Sequence, residues 1–150
     1  LSEQKKKQQS PGEDDKSILY NDLDTESSDI DKEYEINKQV FQKLDSLIRR
    51  DELYLSADLS REDLVRMAHM NNTRFAKMIK ENTGTNLSGY INELRLNHAI
   101  HLLKEHPEYT LRAIAEASGI NSMPTFHSLF KNKTGMTPSE FKKTQMDMKQ

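Results

Sequence analysis

Cysteine and tryptophan are missing from this chain, glycine occurs five times and proline four times, and aromatic residues make up 7% of 150 positions. Zero Cys rules out a disulfide framework, a thiolate zinc site and a cysteine nucleophile together, and is compatible with a reducing compartment. No window approaches the roughly 18 uncharged apolar residues that a membrane span needs, and no charged-then-apolar leader opens the chain. A soluble, cytoplasmic protein is therefore expected, and Leu1 in place of Met reads as the start of a fragment. The length leaves room for one ordinary domain and is too short for a multi-domain enzyme.

A net charge of -2 conceals a division along the chain. Residues 1–33 hold ten acids and five Lys, a balance of -5, whereas residues 34–150 hold 17 bases and 14 acids, a balance of +3. Of the apolar residues, only six precede position 34. The stretch from Lys5 to Asp15 is polar, contains Pro11-Gly12 and has no periodicity, so residues 1–33 read as a disordered or extended acidic linker. Ile18, Leu19, Tyr20 and Leu23 are counted in that linker, and Lys5 to Lys7 as a solvated charge run, the alternative being the cytoplasmic end of a longer, membrane-anchored sensor.

From residue 34 onward apolar residues recur in steps of three and four, and nothing shows the sustained alternation of a strand, so an all-α domain over 34–150 is expected. A first helix covers about 34–50 through Ile36, Val40, Phe41, Leu44, Leu47 and Ile48. A second begins at the Ser60 cap, with Asp63 completing a capping box, and stops near Ala68. The third starts after the Asn71 cap, buries Phe75, Met78 and Ile79, and ends at Thr83-Gly84. Leu87, Tyr90, Ile91, Leu94, Ala99, Ile100 and Leu103 mark the longest helix, closed by His106-Pro107 because a residue before Pro avoids the α region. Thr110 caps a fifth helix ending at Gly119, a sixth buries Phe126, Leu129 and Phe130 up to Thr134-Gly135, and a seventh opens at Thr137-Pro138-Ser139-Glu140.

The second and third helices have a copy further on. Leu64-Val65, Ala68, Met70 and Asn71 recur after fifty residues as Ile114-Ala115, Ser118, Ile120 and Asn121. Phe75, Met78-Ile79-Lys80 and Thr83-Gly84 recur after fifty-one as Phe126, Leu129-Phe130-Lys131 and Thr134-Gly135, which places one inserted residue near the start of the later helix. Each copy is two short helices around a tight turn, the helix-turn-helix pattern. Packing claims the first helix and the inner face of the second, so only the outer face of the second can enter a major groove. On a helical wheel that face carries Thr73, Ala76, Lys77 and Lys80, flanked by Asn72 and Arg74, and in the second copy Pro124, His127, Ser128 and Lys131, flanked by Met123 and Thr125. No acid lies between Glu116 and Glu140, a stretch that holds Lys131, Lys133 and His127, which suits a surface facing phosphates.

In this order the motifs resemble the AraC/XylS family of bacterial transcription regulators over about residues 36–143. The similarity rests on Ile114-Ala115, Gly119, Phe126, Phe130-Lys131, Thr134-Gly135, Thr137-Pro138 and Phe141, preceded by Tyr90-Ile91-Asn92, Leu94-Arg95-Leu96, Ala99 and Leu102-Leu103. Val65, Ile79, Ile120 and His69 depart from the family pattern. The resemblance implies about seven helices: two helix-turn-helix subdomains, about 34–84 and 110–143, joined by a linker helix at about 87–106. It implies base reading by Thr73, Ala76 and Lys77 and by Met123, Pro124 and Ser128, with two recognition helices docked in successive major-groove segments roughly 34 Å apart. Asn72, Arg74, Thr125 and His127 join the base-reading set, and Lys80, Lys131 and Lys133 are assigned to phosphate. Because Ala76, Met123 and Pro124 offer no side-chain hydrogen bond, the first subdomain is expected to supply more of the specificity. Double-stranded DNA and RNA polymerase are the expected partners, together with an upstream sensor or dimerisation domain absent from this chain. No cofactor, metal or small-molecule site is expected.

Other candidates carry less. His98 and His101 stand three apart near Glu105, but no third ligand completes a recognisable metal motif. Asp45, Asp51, Glu52 and Asp58 have no apolar surroundings to raise a pKa and read as solvated charges, so no catalytic residue is assigned. Tyr90 and Arg95 are expected to join the linker helix to both subdomains. A second function stays open on the residues alone: a helical protein-interaction module derived from a helix-turn-helix pair that no longer reads DNA.

Overall fold

The computed structural model describes the backbone of residues 16–148 and the side chains of residues 28–148. All regular structure among the described residues is helical, with seven α-helices: α1 (Lys16–Arg50), α2 (Arg61–Ala68), α3 (Asn72–Thr83), α4 (Leu87–Glu105), α5 (Leu111–Ala117), α6 (Met123–Thr134) and α7 (Pro138–Met148). A single 3-10 turn, Leu53–Leu55, follows α1. The described residues divide into two compact units, with the boundary between Gln39 and Val40.

The first unit departs from expectation. The helix expected from residue 34 begins at Lys16, so residues 16–33 are helical where a disordered or extended linker is expected. After Pro11-Gly12 no Pro or Gly occurs before Gly84, so nothing in this stretch obliges a helix to stop. The part of that linker before Lys16, with the Lys5 to Lys7 run, lies outside the described residues. Ile36, placed on the buried face by its spacing, is 50% exposed, and Ile30 and Tyr34 are exposed too.

The second unit contains two apolar cores. Leu44, Ile48, Leu64, Phe75, Met78, Ile79, Tyr90, Ile91 and Leu94 fill the first, with Val40, Phe41 and Val65 packed against it. Leu96, Ala99, Leu103, Ile114, Ala115, Ile120, Phe126 and Phe130 fill the second. The linker helix α4 supplies residues to both, which is why its apolar positions run all round the cylinder instead of along one stripe. Ile79 and Ile120, which depart from the family pattern, are buried in these cores. Each core is centred on fully enclosed phenylalanine, Phe75 in one and Phe126 with Phe130 in the other. Truncating any of them to Ala is expected to cost about 3–5 kcal/mol.

Local signals set most helix ends. Ser60 and Asp63 exchange both hydrogen bonds of a capping box, as do Thr137 and Glu140. Those bonds hold the Asp63 and Glu140 carboxyls below the usual carboxylate range. Asn71, Asn86, Thr110 and Ser122 cap α3, α4, α5 and α6. Gly84 and Gly135 close α3 and α6 in left-handed backbone, at φ 77° and 79°. Just before them, Thr83 donates its hydroxyl to Ile79 O and accepts from Thr85 N–H, and Thr134 repeats this with Phe130 O and Met136 N–H. The sequence repeat is thus preserved in its hydrogen bonds.

Candidate nucleic-acid interface

The α2–α3 pair and the α5–α6 pair each form a helix-turn-helix. The first turn, His69 to Asn71, leaves α2 through His69 at φ 55°, and the second, Ser118 to Ser122, carries Gly119 at φ 83°. The caps are Asn71 and Ser122, fifty-one residues apart, whereas His69 and Gly119 are fifty apart. The inserted residue therefore lies in the second turn, just ahead of the start of α6 near which the sequence comparison places it. A longer turn absorbs an extra residue without rotating the helix that follows.

On α3, Phe75, Met78 and Ile79 face inward at 0–1% exposure. Asn72, Thr73, Ala76, Lys77 and Lys80 are exposed, and Arg74 is half-buried. The Asn71 Oδ1 accepts the Arg74 N–H at 2.8 Å, which fixes the entry of the helix. Lys80 Nζ lies 3.2 Å from Gly84 O, at the far end of the same ridge. Thr73, Ala76, Lys77 and Lys80 are therefore together on one solvent-facing strip.

Arg61, the first residue of α2, belongs beside this strip although sequence reasoning passes it over. Its guanidinium stands 5.4 Å from the centre of the Phe75 ring and points Nε at Asn72 Oδ1 and an Nη at Asn72 O, each at 3.4 Å. A cation thus flanks the N-terminus of α3. The contact is eleven residues distant in sequence, and a helical wheel for either helix cannot reveal it.

On α6, Phe126 and Phe130 are fully buried, and Pro124, Thr125, His127, Ser128 and Lys131 are exposed. Met123 is half-buried and packs against the second core, so its side chain is shared between that core and the surface. Lys133 turns toward the linker helix and pairs with Glu93 at 2.6 Å. That pair ties α6 to α4 and occupies a cation assigned to phosphate. Pro124, Thr125, His127, Ser128 and Lys131 remain exposed on α6.

The frame behind the ridges is firmly tied. Tyr90 of α4 donates its hydroxyl to Asp45 of α1, which also receives Arg49 Nε at 3.0 Å, and the Tyr90 ring meets Phe41 edge-on at 5.5 Å. Burial first, then the Asp45 carboxylate, pushes the Tyr90 phenol above its ordinary value, so it stays a donor. His98 packs edge-on to Tyr54, and burial pulls its pKa down. Among the described residues no group of three or more His, Asp or Glu could hold a metal.

Two helix-turn-helix pairs on a shared linker helix, each with an inward apolar face and an outward cation-bearing one, define a DNA-binding domain. A family model described as a helix-turn-helix domain matches residues 64–144, more than half of the chain. The chain belongs to this family in its AraC-type form, whose members are DNA-binding transcription regulators and not enzymes. Over 80 residues it is 39% identical to the uncharacterized transcriptional regulatory protein YesN of Bacillus subtilis, covering 53% of this chain and 22% of that protein. It is 31% identical over 81 residues to the RCS-specific HTH-type transcriptional activator RclR of Escherichia coli, covering 54% of this chain and 28% of that protein. The chain spans less than a third of either relative.

Among solved structures, an AraC-type transcriptional regulator from Chromobacterium violaceum superposes with a TM-score of 0.62 at 27% identity, covering 72% of this chain and 93% of that one. A Listeria innocua protein of unknown function superposes with a TM-score of 0.61 at 28% identity, covering 69% of this chain and 95% of that one.

Proposed function

We propose that this chain reads double-stranded DNA by laying α3 and α6 in successive major-groove segments of one duplex face. The observation that carries this reading is the division of each helix into two faces: Phe75, Met78 and Phe126 have no exposed surface, while Lys77, Lys80, Ser128 and Lys131 are solvent-exposed. A pair of helices retired to protein binding has no need for two such ridges.

Thr73, Lys77, Asn72 and Arg74 supply the hydrogen-bonding base contacts of the first subdomain, with Ala76 against a thymine methyl. Thr125, Ser128 and His127 do so for the second, where Pro124 and the exposed part of Met123 add apolar contact and shape. Lys80 and Lys131, at equivalent places, hold phosphate, and Arg61 adds a cation at the mouth of the first groove. Lys133 serves phosphate only by exchanging Glu93 for it. The polar variety of α3 gives the first subdomain the larger share of specificity.

Within the longer protein this domain works in the cytoplasm on promoter DNA, and RNA polymerase responds to where it sits. An upstream sensing or dimerising part supplies the signal. Among the described residues no helix is long and apolar enough to cross a membrane. The experiment is a salt series of fluorescence anisotropy on mixed-sequence duplex, followed by selection from a random duplex pool. Binding that weakens steeply with salt and converges on a motif with two blocks is expected. Binding that is absent, or indifferent to salt, supports the interaction module instead.

A further inference from the structure

Arg95 lies midway along α4, between the two cores. Its Nε donates to Tyr54 O at 2.7 Å and its Nη2 to Ser56 O at 2.8 Å, so one guanidinium grips two carbonyls of the turn that follows α1 in the first subdomain. The second subdomain meets the same place. A Cβ added to Gly119, in the turn between α5 and α6, would stand 2.8 Å from Tyr54 O, 2.9 Å from Arg95 Nε and 3.0 Å from Leu55 O. No side chain fits there, and Gly119 is in left-handed backbone that disfavours one anyway. Three pieces of chain therefore converge at one point: the linker helix, the 3-10 turn of the first subdomain and the helix-turn-helix corner of the second. Two residues before Arg95, Glu93 holds Lys133 of the second recognition helix.

We infer that Arg95, closed over by Gly119, is the positioning residue that fixes the spacing at which the two recognition helices read DNA. This rests on the proposal that both helices dock on one duplex. A linker helix alone can bend, and each subdomain could roll on its own apolar face. A guanidinium fork holding two carbonyls resists both motions, because its donors are planar and their separation is fixed. Inserting one base pair between two blocks displaces the second by about 3.4 Å along the axis and turns it by about 35°. A locked joint cannot follow that change, and a loosened one can.

The test uses the full chain and the duplex selected for it, with one or two base pairs inserted or deleted between the two blocks, and each block alone in neutral flanks. Wild-type affinity is expected to fall about tenfold or more on a one-pair insertion, the size of a lost base contact. Arg95→Met should keep wild-type affinity for each single block and bind all spacings within about threefold of one another, since it loses the fork and keeps the length. Gly119→Ala disturbs the joint from the other side and should flatten the spacing profile in the same way. Arg95→Lys, which keeps the charge and loses the planar fork, should flatten the profile as well and guards against either of these variants simply failing to fold, which a thermal melt detects. A variant that lowers affinity by one factor at every spacing, with the profile still peaked, overturns the inference. Wild-type protein that binds no duplex overturns the proposed DNA reading itself, and this role with it.

Discussion

His69 and Gly119 occupy the same corner of their respective helix-turn-helix turns, fifty residues apart, both in left-handed backbone at φ 55° and 83°. A residue with a Cβ meets its own carbonyl in that conformation, at a cost of about 1–2 kcal/mol. His69 is exposed and contributes little packing in return. His69→Gly is therefore expected to stabilise the chain by about 1 kcal/mol in urea unfolding, after the entropy that Gly adds to the unfolded state. An unchanged or lowered midpoint would show that the imidazole makes a stabilising contact.

Ser118 and Ala68 are counterparts in the repeat. Ser118 is fully buried, and its hydroxyl finds no hydrogen-bond partner among the described residues. Restoring the first subdomain's choice, Ser118→Ala, removes an unsatisfied polar group from the second core. Stability should rise by about 1 kcal/mol, since a buried orphan hydroxyl costs about that much. A fall of similar size would mean that the hydroxyl is satisfied in solution.

How much of this arrangement was legible in the sequence depended on the distance over which each cause acts. Ser60, Asn71, Thr83-Gly84, His106-Pro107 and Thr137-Pro138 act within one turn of the ends they set: the starts of α2, α3 and α7 and the ends of α3 and α4 fall at them. The start of α1 has no such marker, and its polar composition imitates a linker. The outer ridges of α3 and α6 follow from helical period alone. What a wheel cannot give is the neighbour on another element: Arg61 against Phe75, Arg95 on Tyr54 O forty-one residues away, Lys133 drawn to Glu93, and Met123 shared with the second core.

The capping boxes make stability depend on acid pH. Hydrogen bonds from Thr137 depress the Glu140 pKa below its ordinary 4.5, and those from Ser60 depress that of Asp63 below 3.8. A depressed carboxyl contributes stability that is present above the unfolded value and is lost as pH falls through the lower folded one. The melting temperature should therefore decline on titration below about pH 4.5. Glu140→Gln keeps an acceptor at the same position and should show a shallower decline, and an identical pH profile would remove Glu140 from this role.

Phosphate and base contacts separate by their response to salt. Lys80→Ala and Lys131→Ala are each expected to weaken binding to every duplex and to reduce the slope of log affinity against log salt by about 1. Lys77→Ala should relax preference at one or two base pairs, costing about 1–3 kcal/mol on the selected site if the partner is guanine. A uniform loss over all sequences would move Lys77 to the phosphate set.

The most direct measurement is a hydroxyl-radical footprint of the chain on its selected duplex. Two protected tracts about ten base pairs apart on the same face are expected, as successive major-groove segments require. One short tract, or two tracts on opposite faces, would mean that α3 and α6 do not read one side of the helix together.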